Sequence, residues 1–144
     1  MKNLADHITD IVYNSNAAKA TLIEIIVEES KSLNLYSIII KDNGVGMTKE
    51  MTQQTVQPFF ASRNIRKIGL GLSLLKQNAE QTEGEFELKS KPGKGTIVKA
   101  AFKHNHFDRP AIGDLAEAFI LLLISNEKID IRYKHKNPTW RIHD

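Results

Sequence analysis

At 144 residues, with 41% hydrophobic and 26% charged residues, the chain has a globular composition and the length for one domain with a two-layer core. It has no cysteine, which excludes a disulfide framework and a thiolate metal site. The net charge of +3 comes from Lys and Arg interleaved with acids, a balance that suits a small anion as well as nucleic acid.

The amino end, MKNLADHITD, has no apolar signal core. The longest apolar run, Ala118–Ile124, falls far short of the roughly 20 residues needed to cross a bilayer. A cytoplasmic protein with no membrane partner is expected. At about 100° per residue, Leu4, Ile8, Ile11, Val12, Ser15 and Ala18 fall on one arc of a first helix. Asn3, His7, Asp10 and Asn14 form a polar stripe beside that arc and not opposite it, which suggests the edge of a cleft. TLIEIIVEE and YSIIIKDN alternate as strands, and TKEMTQQTV reads as a short helix. ASRNIRKI has no period, and residues 70–82 are helical by the spacing of their leucines. EFELKS and TIVKAAF alternate across KPGKG, a hairpin. AIGDLAEAFILLLISN reads as an amphipathic helix and IDIRYKH as a last strand. This order predicts an α+β fold: a two-layer α/β sandwich whose mixed, mostly antiparallel sheet carries its helices on one face.

Four stretches carry candidate chemistry. Asp10 and Asn14 lie one helical turn apart. Besides a plain solvated edge, they fit a carboxylate that orients water next to an amide oxygen able to ligate Mg²⁺. DNGVGM, Asp42 to Met47, is ordinary turn chemistry, but a carboxylate at a strand end followed by Gly44 and Gly46 also suits an adenine amine. Gly69 and Gly71 stand at a helix start, where free N–H groups and the helix dipole favour anions. Arg63, Arg66 and Lys67 lie just upstream and could add charge-assisted bonds. The spacing is neither that of a P-loop nor that of a dinucleotide fold. GKGT, Gly93 to Thr96, is sufficient as a hairpin turn alone.

Together and in this order, the stretches resemble the ATP-binding domain shared by DNA gyrase, a heat-shock chaperone, sensor histidine kinases and the mismatch-repair protein MutL, the GHKL or Bergerat fold. The resemblance covers roughly residues 4–103. DIVYNSNAAKA is similar to the family's N box, DNGVGM to its G1 box, QPFFASR to the phenylalanine-containing entrance of its ATP lid, GLGLSLL to its G2 box and GKGT to its last adenine-side box. The resemblance implies ATP and Mg²⁺ as ligands, with Asn14 holding the metal and Ala18 packing near adenine. Asp42 would bind the adenine amino group with Thr96 in support, and Gly44, Gly46 and Met47 would shape the pocket floor. Backbone amides of Gly69, Leu70, Gly71 and Leu72 would meet the phosphates. Phe60, Arg63 and Lys67 would belong to the lid region, whose loop spans residues 61–68.

Asp10 stands where hydrolysing members carry glutamate and histidine kinases carry asparagine; it would be the general base, one methylene shorter. Ala17 replaces a charged residue, and Lys67–Ile68 replace a Gly-Thr pair. The histidines at 7, 104, 106, 135 and 143 include none in the setting of a sensor-kinase phosphoacceptor. The expectation is therefore an enzyme of this type that transfers the γ-phosphoryl group to a separate protein, with a slow ATPase switch and a non-catalytic ATP sensor as alternatives. Residues 1–103 would be the core and 104–134 a helix–strand extension packed on the same domain, the apolar face of its helix buried on the sheet or, alternatively, forming a homodimer or partner surface. Residues 135–144 would be a basic tail, too sparsely charged for a nucleic-acid partner.

Overall fold

The computed structural model describes residues 4–17, 19–30, 33–56, 70–103, 120 and 129–136. The chain runs through α1 (Leu4–Ala17), β1 (Leu22–Ser30), β2 (Leu35–Asp42), α2 (Lys49–Thr55), α3 (Leu70–Gln81), β3 (Glu85–Lys91), β4 (Gly95–Lys103) and β5 (Asp130–Lys136). The strands form one sheet in the order β3-β4-β2-β1-β5. Every neighbouring pair is antiparallel except β1 with β5, which runs parallel from Leu22 opposite Asp130 to Glu28 opposite Lys136.

Alternation along each strand produces two unlike faces. Ile23, Ile25 and Val27 of β1, Tyr36, Ile38 and Ile40 of β2, and Val98, Ala100 and Phe102 of β4 are all buried. Ile8, Ile11 and Val12 of α1 and Leu72, Leu75 and Ala79 of α3 join them in one core. Each fully buried isoleucine contributes about 2 kcal/mol by leaving water. Tyr36 and Phe102 are directly opposed by register and their rings stack at 5.0 Å. The other face carries charges that the register sets in complementary pairs: Glu24 beside Lys41 and Arg132, and Glu87 beside Lys99. Such pairs make that face mixed, with Ile26, Ile39 and Ile97 between the charges.

Helix ends follow local chemistry. Thr48 caps α2, its hydroxyl accepting from Met51 N–H at 3.2 Å. α3 ends with Glu83 in the left-handed region (φ 60°). Glu83 N–H donates to Glu80 O at 3.0 Å and Gly84 N–H to Ala79 O at 2.8 Å, which is the Schellman pattern. Glycine is needed one residue later than usual, because a Cβ at Gly84 would lie 1.8 Å from Ala101 O.

The predicted strands, the hairpin and the first three helices appear where alternation and spacing place them. His135 and Lys136, expected at the start of the basic tail, instead belong to β5, because the parallel ladder to β1 satisfies their backbone. Of the predicted helix over residues 111–126, only Ile120 is described; it is helical and 55% exposed.

Candidate functional site

The start of β1, the end of β2 and the start of β4 meet at one end of the sheet, with Asp42 opposite both Ile23 and Thr96. Asp42 is half-buried, and its Oδ1 accepts the Gly44 N–H at 2.9 Å, so its own turn orients the carboxylate. Asn43 locks that end. Its Oδ1 accepts from Thr21 N–H at 2.8 Å and Leu22 N–H at 2.9 Å, and its Nδ2 donates to Thr21 Oγ1 at 2.8 Å.

The next turn rests on the β3–β4 hairpin. Gly46 has φ +74°, and a Cβ there would lie 1.9 Å from Lys91 O. Gly93 N–H donates to Val45 O at 2.7 Å. Met47 N–H donates to Ser90 Oγ at 2.8 Å, while Ser90 in turn donates to Gly95 O at 2.9 Å and lies 2.8 Å from Thr96 Oγ1. Ser90 thus ties the 42–47 loop to Thr96. Sequence reasoning missed both Ser90 and Asn43; only their positions beside GKGT and inside DNG could have flagged them.

The two long helices bring further residues to the same end. α1 finishes just before Thr21, which is bound to Asn43, so its carboxyl end lies at the Asp42 end of the sheet. α3 packs along β3 and β4 and finishes against Ala101, five residues up β4 from Thr96. Five strand residues cover about 17 Å. The 12 residues of α3 cover about 18 Å. The amino end of α3 therefore reaches the level of Thr96, and α1 and α3 are antiparallel. Asp10, half-exposed, sits midway along α1. The backbone of Asn14 and of Leu70–Leu72 lies toward the Asp42 end, and the Leu72 side chain is in the core. His7, placed by periodicity on a cleft-edge stripe, is instead fully buried, with Nε2 2.8 Å from Asn78 Nδ2 of α3. Ala18, Phe60, Arg63, Lys67 and Gly69 lie outside the described residues, as does the lid loop.

Two other features lie elsewhere. A surface hollow of about 390 Å³ between α3 and β3 is lined by Lys76, Glu80, Phe86 and Lys99 and contains none of these residues. At the far end of the sheet, His135 Nε2 meets Glu29 Oε1 at 3.2 Å. Burial and the nearby Glu29 charge raise the Tyr133 hydroxyl above its ordinary pKa of 10.0.

Comparison with known proteins agrees with this geometry. The family described as histidine kinase-, DNA gyrase B-, and HSP90-like ATPase matches residues 1–106. A Shewanella frigidimarina protein described as a sensor protein is 35% identical over 95 residues, 65% of this chain and 14% of that protein. The cell-division control histidine kinase PdhS of Brucella anthropi is 32% identical over 104 residues, 61% of this chain and 10% of that kinase. This chain thus corresponds to only a small part of either relative. The ATPase domain of Aquifex aeolicus MutL, solved with ADP, superposes with a TM-score of 0.57 at 16% identity, covering 95% of this chain and 61% of that one. That likeness establishes the fold.

Proposed function

Because the chain belongs to the histidine kinase-, DNA gyrase B-, and HSP90-like ATPase family, we propose that it binds Mg·ATP and passes the γ-phosphoryl group to a separate protein. One observation carries this reading: Asp42, Thr96, the carboxyl end of α1 and the amino end of α3 converge at one end of the sheet. Asp42, aimed by Gly44, accepts the adenine amino group, with Thr96 supporting it and Ala18 packing nearby. Gly44, Gly46 and Met47 form the floor. The phosphates meet backbone N–H groups of residues 69–72, where the dipole of α3 favours negative charge. Phe60, Arg63 and Lys67 approach from the lid.

Asn14 would hold magnesium, which when bound neutralises charge on the phosphate oxygens. Asp10 takes the proton of the attacking group as its bond to the γ-phosphorus forms. The bond from that phosphorus to the β–γ bridging oxygen breaks, and ADP leaves. The likeness to a sensor protein and to a histidine kinase supports a protein as the acceptor.

A second reading, a slow ATPase switch, is favoured by Asp10 itself, since a carboxylate there serves water as readily as a protein nucleophile. Residues 1–103 form the nucleotide-binding core in this reading. The extension at 104–134 belongs to the same domain, which the pairing of β5 with β1 supports, and its apolar segment around Ala118–Ile124 is the candidate homodimer surface. The proposed setting is the cytoplasm, without nucleic acid. No helix among the described residues is long and apolar enough to cross a membrane.

Calorimetric titration with ATP and Mg²⁺, followed by a labelled-phosphate assay with and without lysate, tests the proposal. Label appearing on a protein supports transfer, and ADP released without any partner supports the ATPase. Binding without either leaves an ATP sensor, and absence of binding refutes all three.

A further inference from the structure

We propose that His7 is a positioning residue: its bond to Asn78 pins α1 to α3 in the register that lets the two helices present one phosphate-binding end. The inference rests on the Mg·ATP reading and deepens it. His7 is 0% and Asn78 8% exposed, and the Nε2–Nδ2 distance is 2.8 Å. An amide nitrogen can only donate, so Nε2 accepts and carries no proton in this arrangement. Ile11 of α1 and Leu75 of α3 share the core, and such apolar burial is non-directional. A buried polar pair is directional, because sliding leaves both groups desolvated and unsatisfied.

The pin sits at the end of the helix pair away from Asp42. From His7, Asn14 is seven residues along α1; from Asn78, Gly71 is seven residues back along α3. Each step covers about 10 Å. The helices are antiparallel, so the two paths are equal in length and arrive together. Asp10, one turn from His7, lies on the way. The adenine end is built mainly by Asn43, Ser90 and the β3–β4 hairpin, with Ala18 beyond α1 as its proposed link to the helix pair. Loss of the pin therefore falls mainly on the phosphate end.

Three variants and two ligands test this. His7→Leu leaves Asn78 buried without its partner and lowers the melting temperature. His7→Leu/Asn78→Leu replaces both partners with apolar groups and recovers most of that loss. The double variant is expected to bind adenosine as the wild type does, yet to bind Mg·ATP about tenfold more weakly. His7→Gln, whose carbonyl oxygen can accept from Asn78, is expected to keep both affinities. A double variant that melts normally and binds Mg·ATP with wild-type affinity overturns the inference, as does one that loses adenosine and Mg·ATP equally. Wild-type protein that binds neither ligand refutes the underlying reading, and the inference with it.

Discussion

Gly46 and Gly93 provide an internal comparison between backbone strain and steric collision. Both have positive φ, +74° and +76°, so alanine costs about 1–2 kcal/mol at either site for the left-handed conformation. Part of this is returned by the reduced freedom of the unfolded chain. The surroundings differ: a Cβ at Gly93 meets nothing within 4 Å, whereas one at Gly46 falls 1.9 Å from Lys91 O. Relieving that overlap means moving the loop by more than about 1 Å. The move breaks the Gly93–Val45 bond at 2.7 Å and the Met47–Ser90 bond at 2.8 Å. At about 1 kcal/mol each, the two bonds bring Gly46→Ala to a loss of roughly 3 kcal/mol, against about 1 kcal/mol for Gly93→Ala. For a chain of this length the gap corresponds to about 6–8 °C in melting temperature, read by circular dichroism. Melting curves for the two variants within about 2 °C of each other would refute the close approach of loop and hairpin.

Asp42→Asn retains an oxygen for the Gly44 N–H, so it should melt as the wild type does while its ATP affinity falls about tenfold or more by calorimetry. Asp10→Asn should still bind Mg·ATP yet lose about a hundredfold in turnover or phosphoryl transfer; undiminished rates would remove Asp10 from the chemistry. Asn43→Ala removes three side-chain hydrogen bonds at an exposed site, where water partly replaces them, and should cost about 1–2 kcal/mol in urea unfolding. Tyr133 has its folded pKa raised above 10.0, so its stabilising contribution is complete below pH 10 and is lost as pH rises through the higher folded value. Tyr133→Phe should remove one late step from the tyrosinate absorbance titration and flatten the alkaline decline in stability.

Much of the fold was legible because its signals are local. The alternation of Ile23, Ile25 and Val27 and the KPGKG turn each declare a strand or hairpin within a few residues. What stayed hidden is non-local. Leu22 pairs with Asp130, and no periodicity reveals a partner so distant in the chain. His7 looked like a cleft residue because a polar side chain beside an apolar arc can face either way, and only the presence of Asn78 opposite it decides. Asn43 read as turn chemistry within DNG, whereas its side chain reaches back to the residues preceding β1. The site's order of boxes was readable, but the lid and the glycine at 69 lie outside the described residues, so their part rests on resemblance.

The pairing of β5 with β1 has a practical consequence for anyone trimming this chain. The family match ends at residue 106, yet the sheet is completed by residues 130–136. A fragment cut at the match boundary would strip the cover from Leu22–Glu28, leaving an apolar strand with a row of unsatisfied amides as an adhesive margin. Such a fragment should self-associate even with every nucleotide-contacting residue intact, and an expressed piece should end beyond Lys136.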